Sequence, residues 1–193
     1  MKLVIGLGNI GEEYSRTRHN VGFLSLDHWA RAHKQSFCKD KLFDFINKRD
    51  VCLIKPNTYM NRSGLALAEA LSRWTCSETL VVHDDIELPL SKIRIRNGGG
   101  DGGHNGVKSL LEVQAPDMLR RLRIGIGRDE GNPRDYVLDE FDDGELQKIN
   151  ECLSTVNELI DIFIKLSYNE MLNQYSKWKK SCSEASKPGI ICP

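Results

Sequence analysis

The sequence has no net charge, no long apolar run and no pair of closely spaced cysteines. Its 27 basic and 27 acidic side chains balance, so total charge does not indicate a polyanionic partner. No apolar stretch approaches about 18 residues and no charged-then-apolar leader opens the chain, so we expect neither a membrane-spanning nor a secreted protein. The six cysteines form neither a C-x-x-C pair nor a disulfide pattern. We therefore expect reduced thiols in a cytoplasmic protein.

Three missing motifs narrow the range of possible chemistry further. The chain has no G-x-S-x-G nucleophile motif, and its five histidines form neither H-E-x-x-H nor H-x-H. A metal site built from His19, His83, Asp84 and His104 stays open as an alternative, but we predict no metal and no cofactor. A histidine paired with a carboxylate among amide side chains, without a nucleophile motif, favours activation of a water molecule.

A G-x-G-x-x-G motif at residues 6–11 follows a short apolar strand at residues 2–6. Dinucleotide binding requires a helix that begins inside this motif and an acidic residue that ends a second strand about 20 residues later. Neither is present, because a polar loop follows and helical spacing starts only near Val21. A nicotinamide-dependent enzyme is therefore a minor alternative, which cofactor binding followed by fluorescence would test.

The stretch from residue 82 to residue 109 combines charge with backbone freedom. An apolar run ends at His83, Asp84 and Asp85, and isoleucines then alternate with basic residues over residues 92–96. Five glycines follow within residues 98–103. So many glycines cost backbone entropy, which indicates tight turns or close approach to a ligand. Residues 92–128 include eight basic and only three acidic side chains, so this stretch could form a local phosphate-binding face.

Strand patterns alternate with helical patterns along most of the chain. We predict a single α/β domain at residues 1–180, with a mixed, mostly parallel sheet flanked by helices on both faces, and a flexible tail at residues 181–193. A capped amphipathic helix is predicted to begin near Asp142 and to pack on the domain's own core, with a coiled coil as the alternative. The predicted strands lie at residues 2–6, 51–55, 80–83, 92–96 and 121–128.

Four long motifs together resemble bacterial peptidyl-tRNA hydrolases. They lie at residues 6–22, 55–64, 83–85 with 98–109, and 122–127, in that family's order and spacing. The resemblance covers residues 2 to about 180. Two positions depart from the family pattern: Ile10 stands where the family usually has proline, and Ser91 stands where it usually has glycine.

The resemblance implies hydrolysis of the ester that joins a peptide to the 3′-terminal ribose of transfer RNA, which recycles tRNA from stalled translation. It implies His19 as the general base and Asp84 as its carboxylate partner. An adjacent carboxylate would hold the useful imidazole tautomer, and amide side chains could stabilise the developing oxyanion. Asn9, Asn61 and Asn105 match residues that hold the acceptor end of the substrate and the attacking water.

Further substrate-binding residues follow from the same motifs. Met60 matches a wall of the site, and Arg96 and Arg123 match positions that clamp the 5′-phosphate of the acceptor stem. We add Tyr14 and Tyr59 to this set, with simple packing as the alternative for Tyr14. The role of His104 stays open. We expect a monomer whose partner is peptidyl-tRNA, with no membrane partner.

Two alternatives remain. Asn61 and Asn105 both precede helical stretches, so each could cap a helix instead of acting on substrate. Some proteins with this fold bind RNA without hydrolysis; they would keep the basic face but could lose the His19 and Asp84 pair, which is present here.

Overall fold

The computed structural model describes residues 1–128 and 131–185, with side chains as far as Lys180. Within these residues one sheet has the strands β1 (Lys2–Gly6), β2 (Phe43–Asn47), β3 (Val51–Pro56), β4 (Glu78–Asp85), β5 (Ile93–Asn97) and β6 (Leu119–Gly125). Their order is β2-β3-β1-β4-β6-β5. The four inner strands are parallel, whereas β2 and β5 pair antiparallel at the two edges. The predicted mixed, mostly parallel sheet is confirmed.

Helices cover both faces of this sheet. In the described residues they are α1 (Val21–Ala32), α2 (Ser63–Arg73), α3 (Asn105–Leu111), α4 (Pro133–Leu138), α5 (Asp143–Lys165) and α6 (Tyr168–Ala185). The core on one face includes side chains of α1, α5 and α6, and the core on the other face includes side chains of α2 and α3. Val4 joins the first core, while Leu3 and Ile5 join the second. A central parallel strand must be apolar on both sides, which explains the continuous apolar run of β1.

The capped amphipathic helix is α5, and it packs on the core of its own domain as predicted. The Asp142 side chain accepts from the backbone N–H of Glu145 at 2.7 Å, and the Glu145 side chain accepts from the backbone N–H of Asp142 at 3.0 Å. This reciprocal pair satisfies two N–H groups that a helix start leaves unpaired. Ile149, Val156 and Ile160 then face the core.

Two elements escaped the sequence-based prediction. Strand β2 has only five residues and includes Asp44 and Asn47, so its apolar alternation is short. Helix α4 has only six residues. Its local signal was an asparagine before a proline: the Asn132 side chain accepts from the N–H of Arg134 at 3.0 Å, and Pro133 occupies the first turn.

The cysteine and membrane expectations can be compared with the described part of the chain. Cys38, Cys52, Cys76 and Cys152 are free thiols there, and burial raises the pKa of both Cys52 and Cys152 to about 12. No described helix has the length and apolarity needed to cross a membrane. The backbone of α6 reaches Ala185; the rest of the segment predicted as a tail lies outside the described residues.

Close packing of α1 against the sheet explains the glycines that open the chain. A Cβ atom at Gly22 would lie 2.4 Å from the carbonyl oxygens of Leu7 and Val82, and one at Gly6 would lie 2.6 Å from the carbonyl oxygen of Gly22. Such contacts are sterically forbidden, so glycine lets the first turn of α1 rest on the ends of β1 and β4. One glycine of the G-x-G-x-x-G pattern, Gly6, is therefore required by packing. Helix α1 begins ten residues after Gly11 and so lies outside the motif, whereas a dinucleotide-binding helix begins inside it.

The glycine-rich loop returns the chain to the end of the sheet that is formed by the carboxyl ends of the parallel strands. Strand β5 runs antiparallel to β6. Its last residue therefore lies at the end of the sheet where the parallel strands begin, opposite their carboxyl ends. The loop leads back toward α3, and Arg121 donates to the carbonyl oxygens of Gly98 and, at 2.7 Å, of Gly100. Gly98 and Gly99 have φ of 63° and 89°, a region that favours glycine.

Ser91, which the resemblance marks as a departure from a usual glycine, has a backbone conformation that favours glycine. Its φ is 63°, in the left-handed region that residues with a Cβ atom rarely adopt. Its N–H donates to the carbonyl oxygen of Gly125 at 2.9 Å, which holds the turn between β4 and β5 in place.

We predict that Ser91→Gly stabilises the protein. Relief of left-handed strain, about 1–2 kcal/mol, should exceed the added entropy of glycine in the unfolded chain, about 0.5–1 kcal/mol. The melting temperature should rise by about 1–4 °C. Ser91→Ala is the matched control, since it removes the hydroxyl and keeps the Cβ atom, and it should give no gain. A glycine variant that melts no higher than the alanine variant would contradict the strain argument.

Candidate active site

The structure brings His19 and Asp84 into direct contact. His19 lies in a short 3₁₀ helix, Arg18–Asn20, directly before α1, and Asp84 lies near the carboxyl end of β4. Nδ1 of His19 is 2.9 Å from both carboxylate oxygens of Asp84. Both side chains are buried, with 8% of His19 and 2% of Asp84 exposed. The predicted pair is thus assembled where α1 meets the sheet.

A second histidine binds the same carboxylate. Nε2 of His104 is 2.9 Å from Oδ1 of Asp84. Nδ1 of His104 accepts from the N–H groups of Gly106 and Val107, so His104 is the N-terminal cap of α3. A nitrogen that accepts carries no proton, so the proton of His104 lies on Nε2 and points to Asp84. The sequence left the role of His104 open; the structure makes it a cap that also holds Asp84.

The ionised carboxylate fixes the tautomer of His19 as well. A carboxylate accepts hydrogen bonds and does not donate them, so Nδ1 of His19 carries the proton in this contact. Nε2 then has a free lone pair and forms no hydrogen bond with any described residue. Burial by itself would raise the pKa of Asp84, but the electrostatic interactions and hydrogen bonds with His19 and His104 outweigh it and hold the pKa below its usual value.

His83 contacts Asp84 and His104 but does not bind the carboxylate of Asp84. It is buried, its Nδ1 donates to the carbonyl oxygen of Asp84 at 2.7 Å, and its ring meets that of His104 edge to face. Burial, followed by the electrostatic interaction with His104, lowers the pKa of His83 well below its ordinary value. His83 is therefore a neutral structural residue, and its Nε2 has no partner among the described residues.

Arg18 anchors the turn that carries His19. Its guanidinium lies 4.4 Å from the centre of the Tyr136 ring, and it donates to Glu145 Oε2 at 2.7 Å and to the carbonyl oxygen of Glu140 at 2.8 Å. The same Glu145 closes the capping box of α5. The position of His19 thus depends on the segment that joins α4 to α5, which the sequence motif did not indicate.

Asn9 is held so that its amide N–H₂ faces away from its own supports. The Asn20 side chain bonds both the N–H and the carbonyl oxygen of Asn9, at 2.8 and 2.9 Å. The side-chain oxygen of Asn9 accepts from the N–H of Met60 at 2.9 Å. Met60 is buried and fills the space above Gly106, where a Cβ atom would lie 2.4 Å from its sulfur. Asn20 supports the site although it was not among the predicted site residues.

Asn61 and Asn105 are exposed and do not cap the helices that follow them. The residue at the cap position of α2 is Arg62, and the side chain that caps α3 is that of His104. Neither asparagine side chain bonds to another described residue, and the capping alternative is wrong for both. Ser109 Oγ accepts from the N–H of Gly64 at 3.0 Å, which ties together the two segments that carry these asparagines.

The two tyrosines of the predicted site differ in exposure. Tyr59 is 58% exposed and directly precedes Met60. Tyr14 is half-buried, and its carbonyl oxygen accepts from the N–H and hydroxyl of Thr17. No hydrogen bond among the described residues links either ring to the His19 and Asp84 pair.

The predicted cationic face lies on β5 and β6. Because Arg94 pairs with Arg123 and Arg96 pairs with Arg121 across the two strands, all four side chains lie on one face of the sheet. Arg94 and Arg96 are exposed, Arg121 is buried and holds the glycine loop, and Arg123 forms an ion pair with Asp85. Burial, followed by the charges of Arg96 and Arg123, lowers the pKa of Arg121. Positive charge is therefore concentrated here.

His19, Asp84 and His104 could also be considered as metal ligands, since their ligand atoms lie within 4.8 Å of one another. Both histidine nitrogens that face Asp84 are occupied by protons in the hydrogen bonds described above. An ion would have to replace both protons.

Comparison with known proteins shows the family to which the chain is similar. The model of the peptidyl-tRNA hydrolase family matches residues 3–184. A peptidyl-tRNA hydrolase of Anaeromyxobacter dehalogenans is 41% identical, with 92% of this chain and 97% of the relative aligned. One of Syntrophomonas wolfei is 39% identical, with 91% of this chain and 100% of the relative aligned.

Solved structures give the same result. The crystal structure of peptidyl-tRNA hydrolase from Acinetobacter baumannii superposes with a TM-score of 0.82 at 30% identity, over 90% of this chain and 93% of that one. The match of sequence motifs, fold and family model over nearly the whole described chain shows that this protein belongs to the peptidyl-tRNA hydrolase family.

Proposed function

We propose that this chain hydrolyses the ester bond of peptidyl-tRNA by a water attack in which His19 is the general base and Asp84 holds its tautomer. Family membership supports the substrate and the reaction. One observation carries the mechanism: Asp84 binds the protonated Nδ1 of His19 and leaves the lone pair of Nε2 free. A free imidazole nitrogen at the end of a buried pair suits proton abstraction near neutral pH.

The reaction then proceeds in two balanced steps. Water attacks the ester carbonyl carbon while Nε2 of His19 takes one of its protons, and the ionised Asp84 stabilises the imidazolium. The tetrahedral intermediate collapses, the bond to the ribose oxygen breaks, and His19 returns the proton to that oxygen. Amide N–H₂ groups of Asn9, Asn61 and Asn105 are the donors that we assign to the oxyanion and the substrate backbone.

The fold supports an orientation of the substrate across the sheet edge. Strands β6 and β5 follow β4, which carries Asp84, in the order of the sheet. We therefore place the acceptor stem and its 5′-phosphate on the arginine-bearing face of these two strands, at Arg96 and Arg123. Arginine suits a phosphate because its planar fork can bind two oxygens. Tyr59, with its exposed ring, and the buried Met60 border the site from the β3 side. For Tyr14 we propose substrate binding, and packing of its ring within the protein is the alternative.

The remaining expectations concern the setting of the enzyme. We propose a cytoplasmic monomer that acts in translation, without a cofactor or a membrane partner. An RNA-binding protein without hydrolytic activity is the competing class, and the intact pair of His19 and Asp84 favours the enzyme. A turnover assay on peptidyl-tRNA separates the two.

We predict that His19→Ala lowers kcat by about 10²–10⁴-fold with little change in KM, because it removes the base and leaves the substrate contacts. Asp84→Asn should cost less, since it keeps the base but disturbs its tautomer. The measurement is steady-state hydrolysis of a purified peptidyl-tRNA. His28→Ala is the matched control, since His28 lies on α1 and bonds Asn157, away from the site. An equal or greater loss in Asp84→Asn would make Asp84 the base.

We expect chelation of metal ions to leave activity intact. The reason is that Nδ1 of His19 and Nε2 of His104, the nitrogens that face Asp84, are already committed to hydrogen bonds with its carboxylate. Extended dialysis against EDTA followed by the same assay tests this. Activity that disappears and returns on addition of zinc would show that the three side chains bind a metal.

We predict that Arg96→Ala and Arg123→Ala raise KM, largely spare kcat, and reduce the slope of log affinity against log salt by about one unit per lost phosphate contact. Substrates that lack the 5′-phosphate should be nearly indifferent to both changes. Arg94→Ala is the matched control, because it removes one positive charge from the same face and should leave the difference between the two substrates unchanged. Equal losses on both substrates would assign Arg96 and Arg123 to folding or to the catalytic pocket.

A further inference from the structure

Asp85 is a buried carboxylate that the hydrolytic mechanism does not use. It is the last residue of β4, directly after Asp84, and only 8% of it is exposed. Side chains alternate along a strand, so Asp85 points to the face opposite that of Asp84. That face carries Arg121 and Arg123 on the neighbouring strand β6.

The carboxylate of Asp85 is fixed on both of its oxygens. Oδ1 accepts from the N–H of Glu87 at 2.9 Å, and Oδ2 accepts from Nε of Arg123. The backbone carbonyl oxygen of Asp85 accepts from the N–H of Ile126 at 3.2 Å. A carboxylate held at both oxygens, on a backbone that is itself hydrogen-bonded, has little freedom to rotate, so it determines where the Arg123 side chain lies.

This contact leaves the useful part of Arg123 free. The side chain bonds Asp85 through Nε, and its two terminal nitrogens bond no described residue. Its side chain is 17% exposed, so the guanidinium is held against the sheet instead of extending into solvent. The terminal nitrogens of Arg96 and Arg121 converge near Gly99, at 2.7 and 2.8 Å from the position of its absent Cβ. The guanidinium groups of Arg96 and Arg121 therefore share a small region, and Arg123 lies near enough for its charge to lower the pKa of Arg121.

We propose that Asp85 is the positioning residue of the phosphate-binding site, because its contact with Nε of Arg123 aims the two terminal nitrogens of that guanidinium at the 5′-phosphate. The inference rests on the proposed contact of Arg123 with that phosphate. A fixed guanidinium binds better than a mobile one, since its side-chain entropy is lost before the substrate arrives. Asp85 thus strengthens binding of an anion although it is itself negative.

Simple charge neutralisation makes the opposite prediction. If Asp85 only cancelled the charge of Arg123, its removal would free a cation for the phosphate and lower KM. The direction in which KM changes therefore separates the two roles.

The test compares Asp85→Ala, Arg123→Ala and the double variant on two peptidyl-tRNAs that differ only in the 5′-phosphate. Asp85→Ala should raise KM about three- to tenfold on the phosphorylated substrate, the effect of a weakened charge-assisted hydrogen bond. It should leave KM unchanged on the 5′-hydroxyl substrate, and kcat unchanged on both. The double variant should be no worse than Arg123→Ala, because Asp85 acts through Arg123. Asp85→Asn should shift KM in the same direction by less, since one amide oxygen must serve two donors, and it replaces Asp85→Ala in the test if alanine prevents folding.

Three results would overturn the proposal. A lower KM would make Asp85 a neutralising group. Equal losses on the two substrates, or a fall in kcat, would assign Asp85 to folding or to the support of Asp84. If Arg123→Ala discriminates between the substrates and Asp85→Ala does not, only the role of Asp85 fails; if neither discriminates, the phosphate contact itself is wrong and the proposal fails with it.

Discussion

The proposed active site depends on one buried carboxylate that accepts hydrogen bonds from two histidines. Asp84 is nearly inaccessible, and an ionised carboxylate in that position must be compensated. His19 and His104 compensate it from two different helix starts. The same contacts that stabilise the charge also specify which nitrogen of each ring carries the proton. In the proposed mechanism, electrostatic compensation of Asp84 and preparation of His19 as the base are therefore one interaction.

The fold converges on this carboxylate from several directions. Glycine at position 22 lets α1 approach the sheet closely enough to bring His19 to Asp84. The glycine loop, held by Arg121, returns the chain from the far edge of the sheet and delivers His104 as the cap of α3. Arg121 donates its hydrogen bonds to the glycine loop, whereas the terminal nitrogens of Arg96 and Arg123 bond no described residue. Neighbouring arginines on one face thus have different tasks.

Much of this was visible in the sequence, and the limits have physical causes. Period-two and helical spacing located the inner strands and the long helices, because burial on one or both faces dictates those patterns. Strand β2 and helix α4 were missed because each is too short for a period to show. The assignment of Asn61 and Asn105 as possible caps was wrong, since capping depends on backbone angles and side-chain direction, and adjacency in sequence reveals neither.

Motif resemblance named His19 and Asp84, but not how they are held. Arg18 and Asp85 bond partners that lie far away in the chain or across strands, and no local spacing indicates such pairs. Asn20 bonds Asn9 within the same motif, but the motif does not show which side chain holds which. The resemblance identified Ser91 as a departure, and only the backbone angle showed its consequence.

The tautomers of the two histidines test the central claim most directly. Long-range ¹H–¹⁵N correlation spectra of the histidine-labelled protein, assigned by single substitutions, report which ring nitrogens carry protons. In the neutral rings we expect a lone pair on Nε2 of His19 and on Nδ1 of His104. A proton on Nε2 of His19 in the neutral ring, or on Nδ1 of a neutral His104, would contradict it.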